Sequence, residues 1–197
     1  MLFNYNSGLS EAFNRVGSYV PGQEAKTGFK LAPALNTLTT EPAIEFGQVV
    51  KRAIDGNGLP YATAIESGDT ADDFFGIAYR DVVSQNQVQF GPFSTSYIYT
   101  YTPGQPVSVM IGGYICVPVQ NGTPAVGGKV YMRVSASSSN TNLPIGGIEA
   151  TAEGATTVEL PNVTFESGPL YPFNGVSTSP TATVPTSQTA IIFIGLN

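Results

Sequence analysis

Glycine and proline recur along residues 41–197 at intervals that leave room for short strands and little else. The chain of 197 residues contains 22 glycines and 15 prolines. Such punctuation ends a helix within a turn or two, whereas a strand of five or six residues fits between two turn signals. Runs that repeat every 8–12 residues in this way mark an all-β sandwich or barrel. Charge points the same way. Only 11% of residues are charged, against about 25% in an ordinary soluble domain, so the solvated Glu/Lys faces of helical bundles and coiled coils cannot be built. At 42% hydrophobic, the chain has enough apolar content for one sizeable core.

The charges are unevenly placed. Beyond residue 81 they are Lys129, Arg133, Glu149, Glu153, Glu159 and Glu166 alone. The formal net charge is −6, with eight basic residues and no basic cluster longer than Lys51–Arg52. Nucleic-acid binding, which needs clustered cations to displace counterions, is not expected. No apolar run reaches the roughly 18 residues of a membrane helix. The first ten residues lack the basic head and apolar core of a signal peptide. The expectation is synthesis in a reducing cytoplasm, with no membrane partner.

Residues 1–40 read as an extended N-terminal arm. Leu9–Val16 could form two helical turns capped by Ser10, after which Gly17, Pro21, Gly22, Gly28 and Pro33 break any helix. Residues 41–197 read as a single antiparallel β-sandwich or barrel, jelly-roll-like on strand number and connection length. Strands are expected over Phe46–Ile54, Phe74–Val83, Tyr97–Tyr101 and Lys129–Val134. Thr156–Leu160 and Val163–Glu166 flank Pro161, and Ile191–Ile194 closes the series. Asp55–Pro60 is a turn, and Glu66–Asp73 a candidate helical turn. Pro106–Ile111 and Tyr114–Val119, separated by Gly112-Gly113, have the spacing of a two-residue hairpin.

Chemistry has few carriers here. The chain has no histidine and one cysteine, so Ser–His–Asp and Cys–His catalysis, an internal disulfide and a Cys/His zinc site are all excluded. Cys116, between Ile115 and Val117, reads as a small buried hydrophobe. Glu66, Asp69, Asp72 and Asp73 form the one acidic cluster. A pair of opposed carboxylates could hydrolyse a glycoside or hold calcium, but solvated surface is the plainer reading. No phosphate-binding glycine motif is present, and no cofactor is expected. Tyr97, Tyr99 and Tyr101 share one face of a strand. They form core if that face turns inward, and a subunit contact if it turns outward. With Phe3, Tyr5 and Phe13 of the arm, they are the candidate interface residues.

Four stretches carry a family resemblance: Ile44–Val50 (IEFGQVV), Phe74–Val82 (FFGIAYRDV), Pro103–Val117 (PGQPVSVMIGGYICV) and Val126–Tyr131 (VGGKVY). Their order and patterning resemble the structural cement, or capsid decoration, proteins of tailed bacteriophage heads. The resemblance covers roughly residues 44–133, with a weaker echo at Ala190–Leu196. Ser135–Pro185 has no counterpart in it. The resemblance implies a non-enzymatic virion protein on the outer surface of the head, cementing the major capsid protein lattice and self-associating there as a homo-oligomer. It also implies a loose N-terminal segment that covers a large surface on binding. Two other classes fit the composition: a carbohydrate- or receptor-binding β-module, and a glycosidase built on Glu66–Asp73.

Overall fold

The computed structural model describes residues 22–26, 28–80, 100–136, 143–170 and 188–195. In chain order its strands are β1 (Lys30–Leu31), β2 (Leu35–Asn36), β3 (Ile44–Glu45), β4 (Val49–Ile54), β5 (Pro60–Ala64), β6 (Gly76–Ala78), β7 (Thr100–Tyr101), β8 (Pro106–Val107), β9 (Val109–Asn121), β10 (Lys129–Arg133), β11 (Ile148–Glu149), β12 (Thr157–Phe165) and β13 (Gln188–Ile194). Two single 3-10 turns, Ala71–Asp73 and Gly154–Thr156, are the only helical elements among the described residues. The all-β expectation holds.

The long strand β9 is the spine. A strand residue has one partner on each edge, so double pairings show which neighbours lie on which side. Met110 pairs with both Leu31 and Ile77. Ile115 pairs with Ile192 and bridges to Glu24. Val119 pairs with Gln188 and Ile148. One edge of β9 therefore carries the segment from Glu24 to Leu31 and then β11, while the other carries β6 and then β13.

The C-terminal half of β9 belongs to a closed ring in the order β9, β13, β12, β10, β11 and back to β9. A ring with an odd number of strands cannot alternate direction all the way round. One pair must be parallel, and here it is β11 with β9. The barrel is thus antiparallel except at its closing seam. Its interior is filled by alternate residues: Ile115, Val117 and Val119 from β9, Val130 and Met132 from β10, Leu160, Val163 and Phe165 from β12, and Ala190, Ile192 and Ile194 from β13. Each of these side chains except Ala190 contributes roughly 1.5–3 kcal/mol by leaving water. A second cluster lies under β4, β5 and β6. It joins Val50, Ala62, Ala64 and Ala78 to Ile44, Phe46, Tyr101, Val107 and Val109.

Several local expectations change. Gly112-Gly113 is no hairpin turn, since β9 runs straight through it. Gly113 has φ +107, and a Cβ there would sit 2.7 Å from the Cα of Phe29, so the glycine serves a close backbone crossing. Pro161 likewise does not divide two strands. Asn162, at φ 58, forms a bulge inside a single β12, and the register with β10 shifts across it. The expected strand Phe46–Ile54 begins only at Val49, because Gly47 at φ 81 turns the chain after β3. β5, which starts at a proline and carries two alanines, was not expected as a strand. The second half of the expected arm is not loose. Gly22, Gln23, Ala25 and Lys30–Ala32 hydrogen-bond along β9, and Leu35–Asn36 pair with β8.

Candidate functional site

The acidic cluster is engaged in holding its own loop. Lys51 Nζ lies 2.9 Å from both Glu66 and Asp69. Burial works against the charge on Lys51, yet hydrogen bonds to Glu66 and Asp69 outweigh it and hold the amine above its ordinary value. The Asp73 carboxylate accepts the backbone N–H of Thr70 at 2.8 Å and its hydroxyl at 3.0 Å, capping the 3-10 turn. Those bonds hold Asp73 below the usual carboxylate range. Asp72 is exposed. Glu66 and Asp69 are thus drawn onto one amine, and Asp73 is taken up by its own turn.

Cys116 is buried, as expected. Burial pushes its thiol up to about 12, although a hydrogen bond with Thr189 opposes the shift. It is not a nucleophile at neutral pH.

The six charges beyond residue 81 all have partners within the body. Lys129 pairs with Glu159 at 2.7 Å on the surface, and Glu166 accepts from Thr164 at 3.5 Å. The remaining three form a cluster at the barrel seam, with Arg133 and Glu149 fully buried and Glu153 partly so. Arg133 Nε donates to Glu149 at 2.5 Å, and Nη2 donates to Glu153. The second amine, Nη1, reaches the Ser135 carbonyl and the Thr156 hydroxyl, each at 3.4 Å. Glu149 also accepts from Gln120 at 2.8 Å and Asn121 at 3.0 Å, both on β9. Burial disfavours the guanidinium charge, but Glu153 and Glu149 outweigh it and hold Arg133 above its ordinary value. The two-residue strand β11 is thereby tied to both neighbours by side chains as well as backbone. Sequence reading missed this network. Its one signal was the rarity of charge in that half of the chain, which makes each remaining charge a candidate for a structural pair.

The corner where residues 1–21 join the body is tightly built. Gly22 donates its N–H to the Cys116 carbonyl at 2.8 Å, and its carbonyl accepts from Arg80 N–H at 2.8 Å. It has φ +77, and a Cβ would meet Phe46 Cβ at 2.9 Å, so only glycine threads this gap. Further along, Ala25 N–H donates to the Tyr114 carbonyl at 2.9 Å. Lys26 sits 4.2 Å over the Tyr114 ring, and Phe29 stacks on Tyr79 at 5.6 Å. Residue 80 is the last described one before the segment 81–99, so both segments leave from points joined by a hydrogen bond.

Tyr101 lies at the same corner, and its place corrects one expectation. It is only 3% exposed. Its ring packs edge-on against Phe46 at 5.0 Å, and its hydroxyl donates to the Tyr79 carbonyl. Within this chain it is a core residue, because β7 pairs with β3 and turns that face onto the second cluster. The other interface candidates, Phe3, Tyr5, Phe13, Tyr97 and Tyr99, lie outside the described residues, as do the expected helical turns at Leu9–Val16.

Comparison with known proteins adds to this geometry. A solved chain from a structure titled "The capsid of Myoviridae Phage XM1" shares the fold, with a TM-score of 0.55, 17% identity and 90% of each chain covered. No curated protein matches the sequence. The family model described as "Structural cement protein (E217 gp24/Pam3 gp6)" matches residues 11–194. That span takes in the barrel, its spine and the corner at Gly22, and the chain belongs to the structural cement protein family of phages.

Proposed function

We propose that this protein binds the outside of a tailed-phage head and cements neighbouring major capsid protein subunits, with residues 1–21 as its main anchor. The observation that carries this reading is the corner at Gly22. The chain from Gly22 to Ala32 is fastened to β9 by backbone hydrogen bonds, which fixes the point from which the preceding residues depart. The candidate contact residues Phe3, Tyr5 and Phe13 precede that point, and Tyr97 and Tyr99 lie in the segment that departs beside it. An extended segment that orders on binding can cover a large surface on several neighbouring subunits, and a rigid barrel behind it transmits the tie. Contact between copies on the shell through Tyr97 and Tyr99 requires that these two do not share the inward face of Tyr101, the point that a Tyr99→Ser variant decides. A chain held on a lattice also has less need of surface charge, in keeping with its composition.

The test is rebinding to heads stripped of this protein. Deleting residues 2–20 leaves the barrel intact, so the truncated chain is expected to fold and stay soluble while its occupancy on heads drops. Equal occupancy of the truncated and full chains would overturn the anchor. Quantitative mass spectrometry of purified particles provides the second measure. Copies in the hundreds fit a lattice protein, whereas a few dozen or fewer place it on the tail.

A further inference from the structure

The β4–β5 hairpin carries an apolar face that runs out past its own core. On β4, Val50, Arg52 and Ile54 share one face, and opposite them on β5 stand Ala64, Ala62 and Pro60. Val50, Ala62 and Ala64 are buried in the second cluster. Beyond them the end of the hairpin is exposed: Ile54, on this face, is 69% exposed, and Leu59, in the turn beside it, 63%. The turn is held in one shape. Asp55 Oδ1 accepts the backbone N–H groups of Asn57 at 2.9 Å and Leu59 at 2.8 Å. Asp55 N–H donates to the Leu59 carbonyl, and Gly58 N–H to the Asp55 carbonyl. The carboxylate is occupied by the turn, so the exposed Arg52 is the tip's available charge; it has no ion-pair partner among the described residues.

We infer that this tip is a second contact with the head, inserted into an apolar pocket of the shell protein edged by a carboxylate within reach of Arg52. The inference rests on the reading of the chain as a head-binding protein. Size selects the occupant. Two aliphatic side chains fall far short of the roughly 1,200–2,000 Å² that a stable solution complex buries, so the tip cannot by itself hold two free copies together. A small, preorganised contact gains force where another part of the same molecule is already attached, because the second contact then forms at high effective concentration. A shell that already holds residues 1–21 supplies that condition.

The experiment compares wild type, the double variant Ile54→Ser/Leu59→Ser, and Arg52→Gln for rebinding to stripped heads. Circular dichroism and thermal melting accompany each. The double variant is expected to melt with wild type and to need at least tenfold more protein for half-saturation. Arg52→Gln is expected to weaken binding a few-fold, a difference that fades at high salt. Should the double variant melt early, Ile54→Thr is read in its place. Equal rebinding by wild type and the double variant overturns the tip contact and leaves head binding standing. Sedimentation of wild type as a dimer that the double variant abolishes assigns the tip to a second copy, and also overturns it. Failure of wild type to rebind removes the head-binding reading itself, and the tip contact with it.

Discussion

Arg133 and Glu149 meet at 2.5 Å through Nε and Oε1, with both side chains fully shielded from solvent, across the β10–β11 pair that adjoins the closing seam of the barrel. Buried ion pairs add little net stability over a well-packed apolar pair, but removing one partner leaves an uncompensated charge in the interior. Arg133→Met strands Glu149 and Glu153 together. The expected loss is about 3–5 kcal/mol in urea unfolding. Lys129→Ala breaks a pair whose side chains are 64% and 48% exposed, and should cost at most about 1 kcal/mol. Combining Arg133→Met with Glu149→Leu is expected to recover much of the loss, since Glu153 retains some access to water. If Arg133→Met costs no more than Lys129→Ala, the seam is not held by this network.

The crossing of Phe29 over β9 makes its own prediction. Gly113→Ala must place a Cβ 2.7 Å from Phe29 Cα at φ +107, a conformation that costs a side chain about 1–3 kcal/mol before any clash. Gly127 is also at positive φ, +75, but open space surrounds it. Gly127→Ala should therefore be the milder change, and the difference between the two is what the crossing contributes. Equal losses in denaturant unfolding would mean that Phe29 moves aside freely.

Much of this architecture was legible in the sequence, and the failures have physical causes. Turn chemistry is local, so Asp55–Pro60 and the strand starting at Lys129 could be read from neighbouring residues. Gly112-Gly113 misled because glycine answers two needs with one residue type: a tight turn, and a place where another backbone passes close. Nothing in the adjacent sequence says that Phe29, more than 80 positions away, will lie there. β5 was missed because Pro60 and its alanines have low strand propensity, and pairing with β4 overrides it. The parallel seam follows from the number of strands in the ring, which no single segment carries. The Arg133 network joins residues from β9, β10 and β11 that only the closed barrel brings together.

Cys116 gives a chemical test of the barrel's integrity. Its thiol is pushed up to about 12 by burial, so the thiolate is scarce at pH 8 and solvent reagents have no path to it. Wild type at pH 8 is expected to react with a maleimide or disulfide reagent only as fast as the protein opens, and promptly in denaturant. Because Cys116 is bonded through its backbone to Gly22 and Gln23, a variant that loosens the N-terminal corner, such as Gly22→Ala, should label faster. Immediate labelling of native wild type would contradict the packing of the Gly22 segment over β9.

The two tyrosines at positions 99 and 101 separate the core from the proposed contact surface. Tyr101 is buried against Phe46, and its hydroxyl is bonded to the Tyr79 carbonyl. Tyr101→Ser removes the ring from the second cluster, and is expected to cost about 3–5 kcal/mol, the range for deleting a buried aromatic. Its effect on head binding should be no larger than the fraction unfolded explains. Tyr99→Ser is expected to behave in the opposite way, holding its melting temperature while losing self-association or occupancy on heads. The pair of variants, each followed by thermal melting and by rebinding to stripped heads, distinguishes the roles within one strand's length of chain. If Tyr99→Ser unfolds the protein as Tyr101→Ser does, the whole stripe belongs to the core. The contact with neighbouring copies must then be sought elsewhere on the barrel.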